Sequence, residues 1–214
     1  PVMVGPKCLV EPAAATNLFT YSEDFTDVSW TKANTATLAV DAIGPDGETS
    51  AVTLVSNSAG GASTVDFRQN QTVATSTTYT YSIYAKADQL SGILLFASLF
   101  TTPVNGGYYF DLSTGVATLY SGSGITAVST DVGNGWWRCS ITFTTDVADT
   151  SGSIQTYVAD MSGAPTITVA RDGTSSILVY GAQFEEGSVP SSYIPTSGAT
   201  ATRALETLVI PAAN

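Results

Sequence analysis

The run Tyr79-Thr-Tyr-Ser-Ile-Tyr-Ala-Lys-Ala87 puts Tyr79, Tyr81, Ile83 and Ala85 on one side and Thr80, Ser82, Tyr84 and Lys86 on the other. Strict alternation of this kind suits a pleated strand with one covered face and suits no helix. Trp136-Trp-Arg-Cys-Ser-Ile-Thr-Phe-Thr-Thr145 repeats the pattern, with Trp137, Cys139, Ile141 and Phe143 expected inward and Trp136, Arg138, Ser140 and Thr142 outward. Ser and Thr make up roughly a quarter of the chain and, with Val, Ile, Tyr and Phe, give the composition of half-buried strands.

Further strands are expected at 37–43, 50–56, 63–70, 92–101, 108–112, 116–120, 154–160 and 175–184. The segment Gly92-Ile-Leu-Leu-Phe-Ala-Ser-Leu-Phe100 is almost continuously apolar, which predicts cover on both faces or a place at the centre of a sheet. Pro45-Asp46-Gly47, Asn105-Gly106-Gly107, Ser113-Thr114-Gly115, Gly133-Asn134-Gly135 and Arg171-Asp172-Gly173 carry the residues that tight turns require. Asp172 and Asp131 read as turn residues. The expected fold is all-β: an antiparallel two-sheet jelly-roll sandwich over 17–187, with extended segments at 1–16 and 188–214. The 214 residues suit one large sandwich, and no 20–50-residue repeat suggests a propeller or solenoid.

Composition closes several classes of chemistry. The chain has no histidine, so Ser-His-Asp and Cys-His catalysis and imidazole-ligated metals are excluded. Cys8 and Cys139 are too few for a zinc cluster, and both are expected as buried free thiols. Seven Lys and Arg against 18 Asp and Glu give a net charge of -11, a poor match for nucleic acid or anionic membranes. No apolar run approaches the ~20 residues of a membrane span. The start lacks the order of a secretory signal, and its leading proline fits a trimmed initiator Met. Nothing singles out a carboxylate pair, a phosphate loop or a nucleophile elbow, so no catalysis is expected.

Several segments, in order, resemble a known family. They are Gly5-Pro-Lys-Cys-Leu-Val-Glu-Pro12, Asn17-Leu-Phe-Thr-Tyr-Ser-Glu-Asp-Phe25 with Trp30, Ala42-Ile-Gly-Pro-Asp-Gly-Glu-Thr49, the Tyr79 to Ala87 run and Tyr109-Phe-Asp-Leu-Ser-Thr-Gly115. Asp131-Val-Gly-Asn-Gly-Trp-Trp-Arg-Cys-Ser140, Tyr180-Gly-Ala-Gln-Phe-Glu-Glu-Gly187, Ser192-Tyr-Ile-Pro-Thr196 and Thr202-Arg203-Ala204 complete the set. Together they resemble the carbohydrate-binding-module-like jelly roll, of concanavalin or galactose-binding type, found in tail fibres, spikes and decoration proteins of tailed phages. The resemblance implies a virion surface protein, made in the host cytoplasm, that contacts host-cell polysaccharide and other virion proteins. It also implies self-association, with a trimer favoured, and a calcium ion tying the first strand's end to the last strand, for which Glu23, Asp24 and Glu185 are the candidates. These three carboxylates are equally suited to bracing turns and strand ends. A purely structural decoration protein anchored by its terminal segments, or the sugar-binding module of a depolymerase, fits the same resemblance.

Sugar rings stack their apolar faces on aromatic side chains while polar groups take the hydroxyls. By phase, Trp136, Tyr84, Tyr108 and Tyr180 are the candidate glycan-binding aromatics, with Arg138 placed to cover an aromatic face. The same rings are suited to cross-strand packing, and Trp30 and Trp137 are expected in the core.

Overall fold

The computed structural model describes residues 13–103 and 105–205. In chain order the strands are β1 (Ala15–Asn17), β2 (Thr31–Ala33), β3 (Val40–Ile43), β4 (Thr49–Val55), β5 (Ala62–Ser63), β6 (Asp66–Thr72), β7 (Thr78–Ala87) and β8 (Gly92–Ser98). They continue as β9 (Gly106–Asp111), β10 (Ala117–Ser121), β11 (Ile125–Gly133), β12 (Trp136–Thr144), β13 (Ser151–Ala159), β14 (Val169–Ala170), β15 (Ser176–Glu186) and β16 (Ala201–Arg203). No helix occurs among the described residues.

Two six-stranded antiparallel sheets face each other. The first has the order β10-β9-β8-β13-β6-β2 and the second β11-β12-β7-β15-β4-β3. Period-2 alternation supplies the core between them: Tyr79, Tyr81, Ile83 and Ala85 from β7 meet Ile93, Leu95 and Ala97 from β8. The all-β sandwich expected from the sequence is the observed fold. The apolar segment beginning at Gly92 forms an interior strand of the first sheet: Ile93 and Leu95 fill the core and Leu94 is buried on the outer side, while Phe96 is half-buried and Leu99, past the strand's end, is exposed.

The residues after β1 plug one end of the sandwich. Phe19, Phe25 and Trp30 are buried, Trp30 lying 4.8 Å from Phe19 and 5.1 Å from Phe67 between ring centroids. The loop is held by polar contacts: Trp30 Nε1 donates to the Tyr21 carbonyl at 2.7 Å, and Lys32 Nζ shares its three protons among the carbonyls of Phe25, Thr26, Asp27 and Trp30, all within 3.2 Å. Residues 188–203, expected as an extended segment, pack against the second sheet, and β16 pairs antiparallel with β1.

Three local expectations change. Gly106 and Gly107 belong to β9 instead of a turn, because the strand passes too close to its neighbours to carry a Cβ: at Gly107 one would meet the Leu95 carbonyl oxygen at 2.4 Å. Ile125–Gly133, which had no strand assigned, forms the long edge strand β11, paired along its length with β12. Its Ser, Thr and Asp residues on an exposed edge carry little hydrophobic periodicity. The segment 63–70 is broken into β5 and β6. Cys139 is a buried free thiol, as its inward phase implies, and Cys8 lies outside the described residues.

Candidate functional site

Arg138, Tyr84 and Tyr180 lie side by side on the outer face of the second sheet. Arg138 is the register partner of Tyr84 across β12 and β7, and Tyr84 is that of Tyr180 across β7 and β15. Inward-facing Ile83, Ala85 and Val179 fix the phase that turns these side chains outward. The Tyr84 and Tyr180 centroids are 5.9 Å apart, and the Arg138 guanidinium carbon sits 5.3 Å from the Tyr84 centroid. Arg138 Nη2 also donates to Ser82 Oγ at 3.1 Å.

A bulge in β15 between Tyr180 and Gln183 admits a third ring that the sequence reading missed. Tyr193 packs 5.5 Å from Tyr180 and 6.1 Å from Tyr84. Gly181, at φ +60, sits under this trio; a Cβ there would meet the Tyr193 ring at 3.1 Å and the Tyr84 ring at 3.2 Å. The only sequence signal for Tyr193 was its place in the Ser192-Tyr-Ile-Pro-Thr196 motif, in a segment with no strand periodicity.

Glu23 organises the hydroxyls. Tyr180 and Tyr193 each donate to Glu23 Oε1 at 3.1 Å. Since the Tyr193 proton is committed to the carboxylate, Ser22 Oγ donates to the Tyr193 oxygen at 2.6 Å, and the Thr196 amide donates to Ser22 Oγ at 2.8 Å. Burial first, and then the nearby Glu23 charge, push both tyrosines well above the ordinary phenol value, so they remain donors. Tyr84 and Tyr180 flank an open groove of about 290 Å³ completed by Pro45, Asp46 and Val132. Its walls are apolar ring faces and a proline, with the Asp46 carboxylate as a hydrogen-bond acceptor.

The other expected site residues lie elsewhere. Trp136 has the outward phase but is only 1% exposed, so it offers no ring face to a ligand. It sits at the closed end of the β11–β12 hairpin beside the bulge between Asp131 and Gly133, where phase alone does not separate an outer side chain from an exposed one. Tyr108 points inward, packs against the main core and directs its hydroxyl toward the Ile125 carbonyl at 3.4 Å. Its neighbour Tyr109 takes the outer face, because the register sets Tyr109 opposite outer-face Leu94 and Tyr108 opposite core Leu95.

The carboxylates expected to hold calcium do not converge. Glu185 is 1% exposed and its Oε1 accepts from Gln183 Nε2 and the Ser191 amide. Asp24 caps Thr26 through its amide and hydroxyl, while Glu23 is held by the two tyrosines. Among the described residues no group of three Asp, Glu, Cys or His side chains is placed to hold a metal ion, so the donor set does not fit that assignment.

No protein-family model matches the chain, and no curated protein matches it. Among solved structures, the enzymatically active domain of Bacteriophage CBA120 tailspike protein 4 is similar over 80% of this chain and 21% of its own, at 13% identity and a TM-score of 0.46. The chain thus spans less than a quarter of that tailspike structure. A structure described as CBM4 structure and function is similar over 65% of this chain and 73% of its own, at 19% identity and a TM-score of 0.37.

Proposed function

We propose that the protein is a glycan-binding β-sandwich of the bacteriophage particle surface, which contacts host-cell polysaccharide without acting on it chemically. The observation that carries this is the transverse row Arg138–Tyr84–Tyr180 bordering the groove with Asp46. A sugar ring would lay its apolar face on Tyr180 or Tyr84 and share its hydroxyls with Asp46. The Glu23 network holds Tyr180 and Tyr193 in place, so little side-chain freedom is lost on binding. The virion setting is supported by the ordered sequence motifs that resemble phage jelly-roll modules.

A glycan array probed with the purified protein tests this directly. Saturable binding to a class of bacterial polysaccharide is expected, weakened about tenfold, equivalent to ~1.4 kcal/mol, by Tyr180→Ala. A blank array from folded protein would overturn it. That result would favour a structural decoration role, for which the pairing of β1 with β16 at the chain's two ends is the relevant feature.

A further inference from the structure

The two large sheets have four edge strands, and three of them are guarded against pairing with another chain. β2 is three residues long and carries Lys32; β3 is four residues long, carries Asp41 and shifts register twice; β10 breaks register between Leu119 and Ser121. β11 differs: it is nine residues long and keeps a regular register from Ile125 to Asp131. It contains no proline or lysine, and Asp131 is the only charged residue from Leu112 to Trp137.

The backbone of β11 is open over its middle. Just past the strand ends the Thr145 amide donates to the Thr77 carbonyl, so odd-numbered residues of β12 turn their peptide groups to β7 and even-numbered ones to β11. Val128 is the register partner of Ser140, so even positions of β11 bond β12 and odd positions face the open edge. At the two ends those odd positions are occupied: the Tyr108 hydroxyl points at the Ile125 carbonyl at 3.4 Å, and the Gly133 amide donates to Asp131 Oδ1 at 2.8 Å. Ala127, Ser129 and Asp131 remain, and among the described strands β11 pairs only with β12.

The sandwich is also unsealed along this side, where β10 and β11 are the neighbouring edges of the two sheets. Leu119 pairs with core-facing Tyr108 and so points between the sheets, yet it is 50% exposed. Ala117 and Ala127 pack on the core and are only partly covered. Val116, Val128 and Val132 add exposed apolar surface beside them.

We infer that β11 pairs antiparallel with β11 of a second copy, about a two-fold axis at Ser129. The register that centres the open span joins Ser129 to Ser129 and Ala127 to Asp131, exchanging about six backbone hydrogen bonds. It sets Val128 opposite Thr130 and Val132 opposite Thr126, so no charge faces a like charge. The two Asp131 side chains stand about 14 Å apart, beyond the ~8 Å screening length at physiological salt. Two copies of net charge -11 repel over most of their surface, and this nearly uncharged edge is where they approach with least repulsion. Such a contact closes at two copies, unlike the trimer that the sequence motifs imply. It merges the two second sheets into one, with both Arg138–Tyr84–Tyr180 rows on the same face, and brings Thr126 of the second copy beside Val132 at the rim of the groove. The pairing itself does not depend on glycan binding.

Sedimentation equilibrium of the whole chain over a wide concentration range tests the pairing. The mass should rise from 22.1 kDa towards twice that value and no further. Val128→Lys, at an exposed position, and Ala127→Pro, which removes only an edge-facing amide, should each weaken association about tenfold or more while near-ultraviolet circular dichroism is unchanged. The double variant Val128→Cys/Thr130→Cys should form a covalent pair on mild oxidation, because these positions meet across the axis in non-hydrogen-bonded pairs with Cα atoms ~4.5 Å apart. Val128→Cys alone and the unaltered chain should not cross-link there. The cysteine pair decides the matter if Ala127→Pro unfolds. A chain that stays monomeric at every concentration, or an assembly of any size that keeps its mass in Val128→Lys and Ala127→Pro, would overturn the inference.

Discussion

The Tyr81 hydroxyl is hydrogen-bonded to Thr156 Oγ1 in the interior, joining β7 of one sheet to β13 of the other. Both side chains are buried, and burial pushes the Tyr81 phenol far above its ordinary value, so it stays neutral and available to donate. Tyr81→Phe should cost about 1–3 kcal/mol in urea unfolding by stranding the Thr156 hydroxyl. The double variant Tyr81→Phe/Thr156→Val should recover most of that loss, since the two sites share one interaction. Additive losses would show that the contact contributes nothing of its own.

Asn17 acts as a clasp. Its Nδ2 donates to the carbonyls of Ala182 and Ile194 at 3.0 and 2.9 Å, and its Oδ1 accepts from the amides of Phe19 and Phe184. Asn17→Ala leaves four backbone groups without this partner and should destabilise the protein by about 3 kcal/mol. Asn17→Asp sets a buried carboxylate oxygen against the Ala182 and Ile194 carbonyl oxygens and should cost at least as much as Asn17→Ala. Thermal unfolding of the three proteins checks the order.

Gly115 and Gly47 both adopt positive φ, at +74 and +86, yet they should respond differently to alanine. A Cβ on Gly47 meets nothing within 4 Å, so only backbone strain of about 1 kcal/mol applies. A Cβ on Gly115 would lie 2.3 Å from the Trp137 ring, whose Nε1 donates to the Leu112 carbonyl at 2.9 Å. Gly115→Ala should therefore cost at least twice as much as Gly47→Ala and alter tryptophan fluorescence. Equal losses would mean that the ring moves aside freely.

Asp149 sets part of the acid limit. Burial disfavours its charge, but amide donors from Thr101, Asp146 and Thr102 outweigh that and hold its pKa below the ordinary 3.8. A carboxylate with a depressed folded-state value contributes stability above 3.8 that is lost as pH falls through the folded value. The unfolding midpoint should fall below that pH. Asp149→Asn should lower the midpoint at neutral pH and flatten the acid limb; an unchanged acid limb would sink the assignment.

The strands that alternate over a covered face were legible because period and burial coincide there, as in 79–87. What was not legible arose where contact, not period, decides. Trp136 and Tyr84 are both on outer-phase positions, but one is sealed and the other lines a groove. Tyr193 matters through partners distant in sequence, and a bulge, not a motif, sets its pose. The motifs that resemble phage modules fall largely on fold-determining groups such as Asn17, Phe19, Phe25 and Trp30, so they carried architecture better than ligand contacts.

The pairing of Ala15 with Arg203, Thr16 with Thr202 and Asn17 with Ala201 also sets how the domain bears load. Because these strands run antiparallel, the chain enters at Ala15 and leaves at Arg203 on the same side. Tension applied through the two ends peels this ladder one rung at a time, beginning at Ala15 and Arg203. The short sheet would yield first under pulling, acting as a mechanical fuse ahead of the two large sheets, where the groove and the transverse row reside.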